Sequence, residues 1–138
     1  METVEKLTTV LRKHGMKITP QRLMIFKVLE KNTSHPSAEE VYSKVKKIYP
    51  TVSFTTIYKT LETLRNIGEI KELIIDEHRK HYDPNIDIHH HYICSHCKKI
   101  VDIFEDFSPY VKLPDSLKTN YTVTGFQISF QGVCKECA

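Results

Sequence analysis

Cysteine is scarce in this chain, only four in 138 residues, and glycine is rarer than proline, four against six. No apolar run approaches the roughly 20 residues of a membrane-spanning helix, so a soluble protein is expected. Met1-Glu2-Thr3 opens directly into an amphipathic pattern, without a basic segment leading into an apolar one. The expectation is therefore no secretory signal and a cytoplasmic location. There the four thiols stay reduced, which disfavours two structural disulfides. Low-complexity tracts and internal repeats are absent, apart from the cysteine pairs themselves, and no group of residues suggests an apolar substrate-sized pocket.

The cysteines that are present fall as Cys94-Ser95-His96-Cys97 and Cys134-Lys135-Glu136-Cys137. Two Cys-x-x-Cys knuckles a few dozen residues apart suit a closed tetrahedral zinc site. A redox-active pair is the weaker rival, because a single Cys-x-x-Cys suffices for that chemistry.

Charge is unevenly spread. The chain totals +3, but residues 1–82 carry +5 and residues 83–138 carry −2. A basic first half suggests a module that meets a polyanion.

That half reads as helices. Val4, Leu7, Val10 and Leu11 form one stripe, ended near Gly15. Thr19 caps a second helix with Pro20 at its first position, and Leu23, Phe26 and Leu29 continue its buried face. Ser37 and Glu40 form a capping box for a third, whose stripe runs Ala38, Val41, Tyr42, Val45, Ile48 and Tyr49 before Pro50. Ser53 caps a fourth, with Ile57, Leu61 and Leu64 inward and Gly68 as its stop. Thr55, Thr56, Tyr58, Lys59, Glu62 and Arg65 face outward. A hairpin follows: Ile70 to Ile75, a turn at Asp76-Glu77-His78, then Lys80 to Tyr82. This order describes a winged helix-turn-helix with a recognition helix over 54–66, although a helical bundle with a solvated polar face shows the same pattern. The expected DNA-binding residues are Arg22, Ser53, Thr55, Thr56, Tyr58, Lys59 and Arg65.

Asp83 to Asp87 is turn-rich and separates 1–82, the DNA-binding module, from 89–138, with 83–88 as a hinge. Strands are expected at Tyr92-Ile93 and Ile100–Phe104, and a short helix near 110–117. Beyond it Tyr121 and Val123 alternate, then Phe126, Ile128 and Phe130 in the opposite phase, with a bulge at Gly125.

Histidine is abundant: eight, three of them consecutive at His89-His90-His91. On a strand His89 and His91 share a face and His90 takes the other. Asp102 on the neighbouring strand, Asp83 in the hinge and His35 ahead of the Ser37 cap complete an imidazole–carboxylate set. Such harder ligands suit Fe(II) or Mn(II), while four thiolates take zinc. A His-rich polar surface is the plainer alternative. A ligand from the linker and one from the first module would let a metal select one geometry between modules.

In order, Ile18-Thr19-Pro20-Gln21-Arg22, His35-Pro36-Ser37-Ala38, the Ser53–Tyr58 helix start, His89-His90-His91-Tyr92-Ile93-Cys94 and Cys134-x-x-Cys137 resemble the ferric uptake regulator family over essentially the whole chain. The resemblance implies an α+β protein: an N-terminal winged helix-turn-helix and a small C-terminal α/β dimerisation domain. It implies a homodimer on double-stranded operator DNA, a structural zinc held by Cys94, Cys97, Cys134 and Cys137, and metal-dependent repression of transcription. It implies no enzyme, no membrane partner and no small-molecule substrate other than peroxide. Within the family the chain looks most like the peroxide-sensing branch, whose Fe(II) or Mn(II) site maps to His35, Asp83, His89, His91 and Asp102. Asp at 102, where iron-uptake regulators tend to carry Glu, is the discriminating position, and no histidine occurs in Val123–Phe130 to complete the further site of those regulators. In that branch the iron reduces hydrogen peroxide and a ligand histidine, here His35 or His89, is oxidised. The competing readings are an iron-uptake repressor, a non-haem iron enzyme built on two His and a carboxylate, and a redox switch that releases zinc.

Overall fold

The computed structural model describes residues 3–76 and 79–138, and Glu77 and His78 of the expected turn lie outside them. The chain forms two compact units, residues 1–86 and 87–138, meeting inside the segment read as a hinge.

In the first unit, helices α1 (Val4–Lys13), α2 (Pro20–Leu29), α3 (Ala38–Ile48) and α4 (Phe54–Asn66) precede a two-stranded antiparallel hairpin, β1 (Lys71–Asp76) and β2 (Arg79–Asp83). Each helix starts where a side-chain oxygen takes an orphan backbone N–H. Thr19, Ser37 and Ser53 accept from Arg22, Glu40 and Thr56 at 3.3, 3.2 and 3.1 Å. Gly68, at φ +82°, supplies the left-handed turn just past α4. The core is the meeting of the four apolar stripes: Leu7, Leu11, Ile25, Phe26, Leu29, Val41, Val45, Ile57, Leu61 and Leu64 are fully buried, and Tyr82 of β2 closes it. Ile48, expected inward, is 56% exposed at the last turn of α3, where the helix has run past the core. The hairpin register slips between Ile74 and Asp76, beside that turn. Four helices closed by a hairpin are the winged helix-turn-helix arrangement of an α+β protein.

In the second unit β3 (His90–Cys94) is central. It pairs antiparallel with β4 (Ile100–Ile103) and parallel with β5 (Ser129–Gly132). A 3₁₀ turn at Ser108–Tyr110 and helix α5 (Asp115–Asn120) lie in the β4–β5 crossover. Here three expectations are corrected. The short helix begins after Pro114 and not before it, because a proline is tolerated at the helix start and breaks an interior. Residues 121–128 alternate in sequence but are assigned to no strand, and Gly125 makes no bulge: pairing begins only where the Ile128 carbonyl accepts His91 N–H. Alternation without a partner ladder does not make a strand. Among the described residues no helix is long and apolar enough to cross a membrane.

Candidate metal centres and nucleic-acid interface

Cys94 ends β3, and its register partner on β5 is Gly132, two residues before Cys134. The knuckles thereby face each other, and one sulfur from each of Cys94, Cys97, Cys134 and Cys137 lies within 4.8 Å of the others. None is in a disulfide. Sulfurs tetrahedrally placed around an ion at 2.3 Å sit about 3.8 Å apart; Cys97 and Cys134 are at 3.9 Å. The backbone N–H groups of Cys134 and Cys97 point at Cys94 Sγ, at 3.4 and 3.5 Å, and pull its thiol down to about 6. Cys137, hydrogen-bonded to Cys134 and desolvated among the other sulfurs, is pushed up to about 12. Four sulfurs this close cannot all carry charge without a cation among them, so the donor set fits a closed zinc site.

Three residues earlier on the same strand, His91 is directly opposite Asp102 on β4. His89 immediately precedes β3. Asp102 Oδ1 is 3.2 Å from the Nε2 of both His89 and His91. His89 Nδ1 lies 2.7 Å from the Asp87 carbonyl and can only donate there, which leaves Nε2 as the lone-pair nitrogen of the neutral ring. A lone pair then faces a carboxylate oxygen, an arrangement that needs a proton or a metal between them. Donors about 2.1 Å from an ion at right angles lie roughly 3.0 Å apart, close to the spacing found. Phe104 stacks on His89 at 5.3 Å, and the carboxamide of Gln127 reaches His91 Nδ1 at 3.3 Å.

His90 points the other way, as strand alternation requires. Its ring stacks on Phe126 at 5.6 Å and meets Phe107 edge-on at 5.0 Å. Its Nδ1 accepts Ile128 N–H at 3.0 Å. On that face a cavity of about 520 Å³ opens between Ile88, His90, Val111, Leu113, Val123 and Phe126. Glu105, Asp106, Ser108 and Thr124 line it as well, so the cavity is of mixed polarity. None of His89, His91 and Asp102 lines it.

In the first unit His35 and Asp83 come together, Nε2 to Oδ2 at 3.3 Å, both almost fully buried. Asp83 is the last residue of β2 and accepts Asn85 N–H at 2.9 Å. A strap holds His35 in place. His81 Nδ1 donates to the His35 carbonyl at 2.8 Å, Tyr82 N–H to Pro36 O at 2.9 Å, and Ser37 bridges to His81. His35 itself sits at φ +53°, a left-handed conformation that a non-glycine residue adopts only when its surroundings impose it. His81 is thus part of the scaffold that holds His35.

On α4, Ser53, Thr55, Tyr58 and Lys59 are exposed and Thr56 is half-buried. Phe54 stacks on Tyr58 at 6.3 Å, while Tyr42 meets Phe54 edge-on. Arg22 donates to the Lys17 carbonyl. Arg65, another of the expected DNA-binding residues, pairs with Glu62 (3.1 Å) and Glu72 (3.3 Å). Sequence reasoning missed this cluster, together with His81, Gln127 and the aromatic pair around His90; the one available signal was the Glu62–Arg65 spacing of three on a helix.

The ferric uptake regulator family model matches residues 13–130. The peroxide-responsive repressor PerR of Staphylococcus epidermidis is 37% identical over 134 residues, which is 97% of this chain and 89% of that protein. Its namesake in Staphylococcus aureus strain USA300 is 36% identical over 135 residues, 97% and 90% of the two chains. Among solved structures, the Helicobacter pylori ferric uptake regulator Fur, with three functional metal binding sites, superposes with TM-score 0.83 at 25% identity over 99% of this chain and 94% of its own. The Campylobacter jejuni peroxide stress regulator does so with TM-score 0.68 at 32% identity over 99% and 100%.

Proposed function

The chain belongs to the ferric uptake regulator family, and from that premise we propose that it is a metal-dependent, DNA-binding repressor of transcription that senses hydrogen peroxide and is not an enzyme. The observation that carries this reading is Asp102 Oδ1 facing two imidazole nitrogens at 3.2 Å, with the His89 tautomer already set by Asp87. His89, His91 and Asp102 would hold a regulatory Fe(II) or Mn(II) from the second unit, and His35 and Asp83 would complete its shell from the first. Two half-sites of imidazole and carboxylate suit these ions better than zinc, which the four thiolates would take as a structural ion. Bound Fe(II) would supply the electron that splits peroxide, and the oxygen gained by a neighbouring ring would spoil it as a ligand.

The residues divide the work. His91 and Asp102 belong to one sheet and alone cannot orient anything beyond it. Asp83 and His35 sit on the strand and strap that lead into the DNA-binding hairpin, so their ligation would make metal affinity depend on geometry. DNA would be met by Ser53 at the cap of α4, by Thr55, Thr56, Tyr58 and Lys59 of that helix, and by Arg22 of α2. The exposed Phe104, Tyr110, Tyr121, Phe130 and Val133 of the second unit favour burial against a second copy, giving a homodimer.

An iron-level sensor of the same family is the second reading, favoured by the higher TM-score of the Helicobacter protein. Peptide mapping after peroxide treatment of the Fe(II)- and Mn(II)-loaded forms separates the two. The peroxide sensor gains an oxygen on the His35 or His89 peptide with Fe(II) only, and keeps its zinc. Intact histidines at a peroxide dose that abolishes DNA binding would reject this reading, and disulfides with zinc loss would point to the thiols.

A further inference from the structure

Glu62 of α4 accepts hydrogen bonds from four side chains. Its Oε1 accepts from Tyr58 Oη (3.3 Å), Lys80 Nζ (3.3 Å) and an Arg65 terminal nitrogen (3.4 Å). Its Oε2 accepts from Arg65 Nε (3.1 Å) and Tyr82 Oη (3.2 Å). A second carboxylate, Glu72 on β1, takes the same two cations at 3.3 and 3.5 Å. Both acids are only 18% exposed. Two cations from the helix and the wing thus meet two anions from the helix and the wing, and the cluster displays no net charge.

For a nucleic-acid-binding surface this is an unusual use of Arg and Lys. Sequence-independent affinity comes from cations that displace counterions at phosphates. Arg65 and Lys80 are placed to do so and are held back. Tyr58, whose flank is exposed, has its hydroxyl pinned by the same carboxylate.

We propose that Glu62 is a positioning residue that determines specificity: it compensates Arg65 and Lys80 and fixes the pose of Tyr58, so that α4 reads DNA with little help from indiscriminate charge. This rests on α4 being the DNA-reading helix. The Glu62 role splits into charge and pose, and the two are separable. Glu72→Gln removes charge and leaves the tyrosine bonds. Glu62→Asp keeps charge on a side chain too short to reach Tyr58. Glu62→Gln changes both.

The test uses the full-length, zinc- and Mn(II)-loaded protein on two duplexes: one selected from a random pool by the wild type, and one of mixed sequence. Affinities are measured across a salt series. Glu72→Gln and Glu62→Gln each expose one positive charge, so log K against log salt should steepen by about 0.9 on the mixed duplex. That corresponds to roughly 3.5-fold more affinity lost between 50 and 200 mM salt. Glu62→Asp should keep the wild-type slope. Glu62→Asp and Glu62→Gln should lower the ratio of selected to mixed binding about twofold, the equivalent of one partly exposed hydrogen bond of about 0.5 kcal/mol. Glu72→Gln should leave that ratio alone. Unchanged slopes in both glutamine variants, or an unchanged ratio in both Glu62 variants, overturns the proposal. Zinc content and melting of each variant are checked alongside, and Glu72→Gln tests the charge half without touching either tyrosine. Lys59→Ala tests the premise: it should flatten the slope by about 0.9, and if it does not, α4 is not the reading helix and that assignment fails first.

Discussion

Replacing Tyr82 by Phe deletes one oxygen and keeps the ring. Tyr82 is fully buried, and its hydroxyl donates to Glu62 Oε2 at 3.2 Å. A hydrogen bond to a charged group is worth about 1.5–3 kcal/mol net. The length is at the long end and Glu62 has four other contacts, so the expected loss is near the bottom of that range, about 1.5 kcal/mol. For a unit of this size that lowers Tm by roughly 6–12 °C. Tyr58→Phe removes a hydroxyl from the same carboxylate at 3.3 Å, but on an exposed side chain, and should cost under about 0.5 kcal/mol. The pair of variants is read by urea titration and thermal melts, with a Tyr82→Phe/Glu62→Gln cycle to isolate the shared bond. Burial, then the Glu62 charge, push the Tyr82 phenol well above its ordinary value. The unfolded chain therefore ionises first, near pH 10, so this tyrosine's stabilisation is intact below pH 10 and declines above it. Tyr82→Phe should remove that alkaline decline. Equal melting of Tyr82→Phe and Tyr58→Phe would refute the reasoning, since burial would then have no bearing on what this carboxylate holds.

Cys94→Ser or a strong chelator should unfold the 87–138 unit and abolish dimerisation, monitored by zinc content and sedimentation; a stable, zinc-free dimer would contradict the structural role. Asp83→Asn should weaken Mn(II)-dependent DNA binding at least tenfold while zinc, fold and dimer persist, measured by titrating Mn(II) at fixed DNA. Asp102→Glu should still repress with iron yet lose most peroxide sensitivity, and histidine oxidation equal to wild type would show that position 102 does not discriminate. Glu62 is held below its ordinary range: burial opposes this, but the bonds from Arg65 and Lys80 outweigh it. Stability from this group should be complete above about pH 4.3 and decline as pH falls, and Glu62→Gln should flatten that acid limb.

The helical half was readable because its signals are local. Thr19, Ser37 and Ser53 cap within three residues of themselves, and the buried stripes repeat at helical spacing. The same holds for His89 and His91, whose separation from His90 needs only the pleat of a strand. What sequence could not show depends on distant partners. His81 meets the His35 carbonyl across 46 residues, and nothing near either position announces it. Glu62 and Lys80 are 18 residues apart, on elements whose approach is set by the core beneath them. Residues 121–128 mislead for the reverse reason: their alternation is local, but the ladder that would make it a strand is not there.

One short strand carries members of both donor clusters, His91 of the imidazole–carboxylate group and Cys94 of the thiol group. His91 and Cys94 are three residues apart on β3, roughly 10 Å along the strand, and β5 is tied alongside by the second knuckle. The position of the imidazoles therefore inherits its precision from the thiolate end. On the proposed reading, assembly would have an order: zinc would have to be acquired before a regulatory ion had a fixed place to sit. A cell starved of zinc would then translate this chain and still leave its operators uncovered, so that zinc supply would set how many sensors exist and the second metal only what they report.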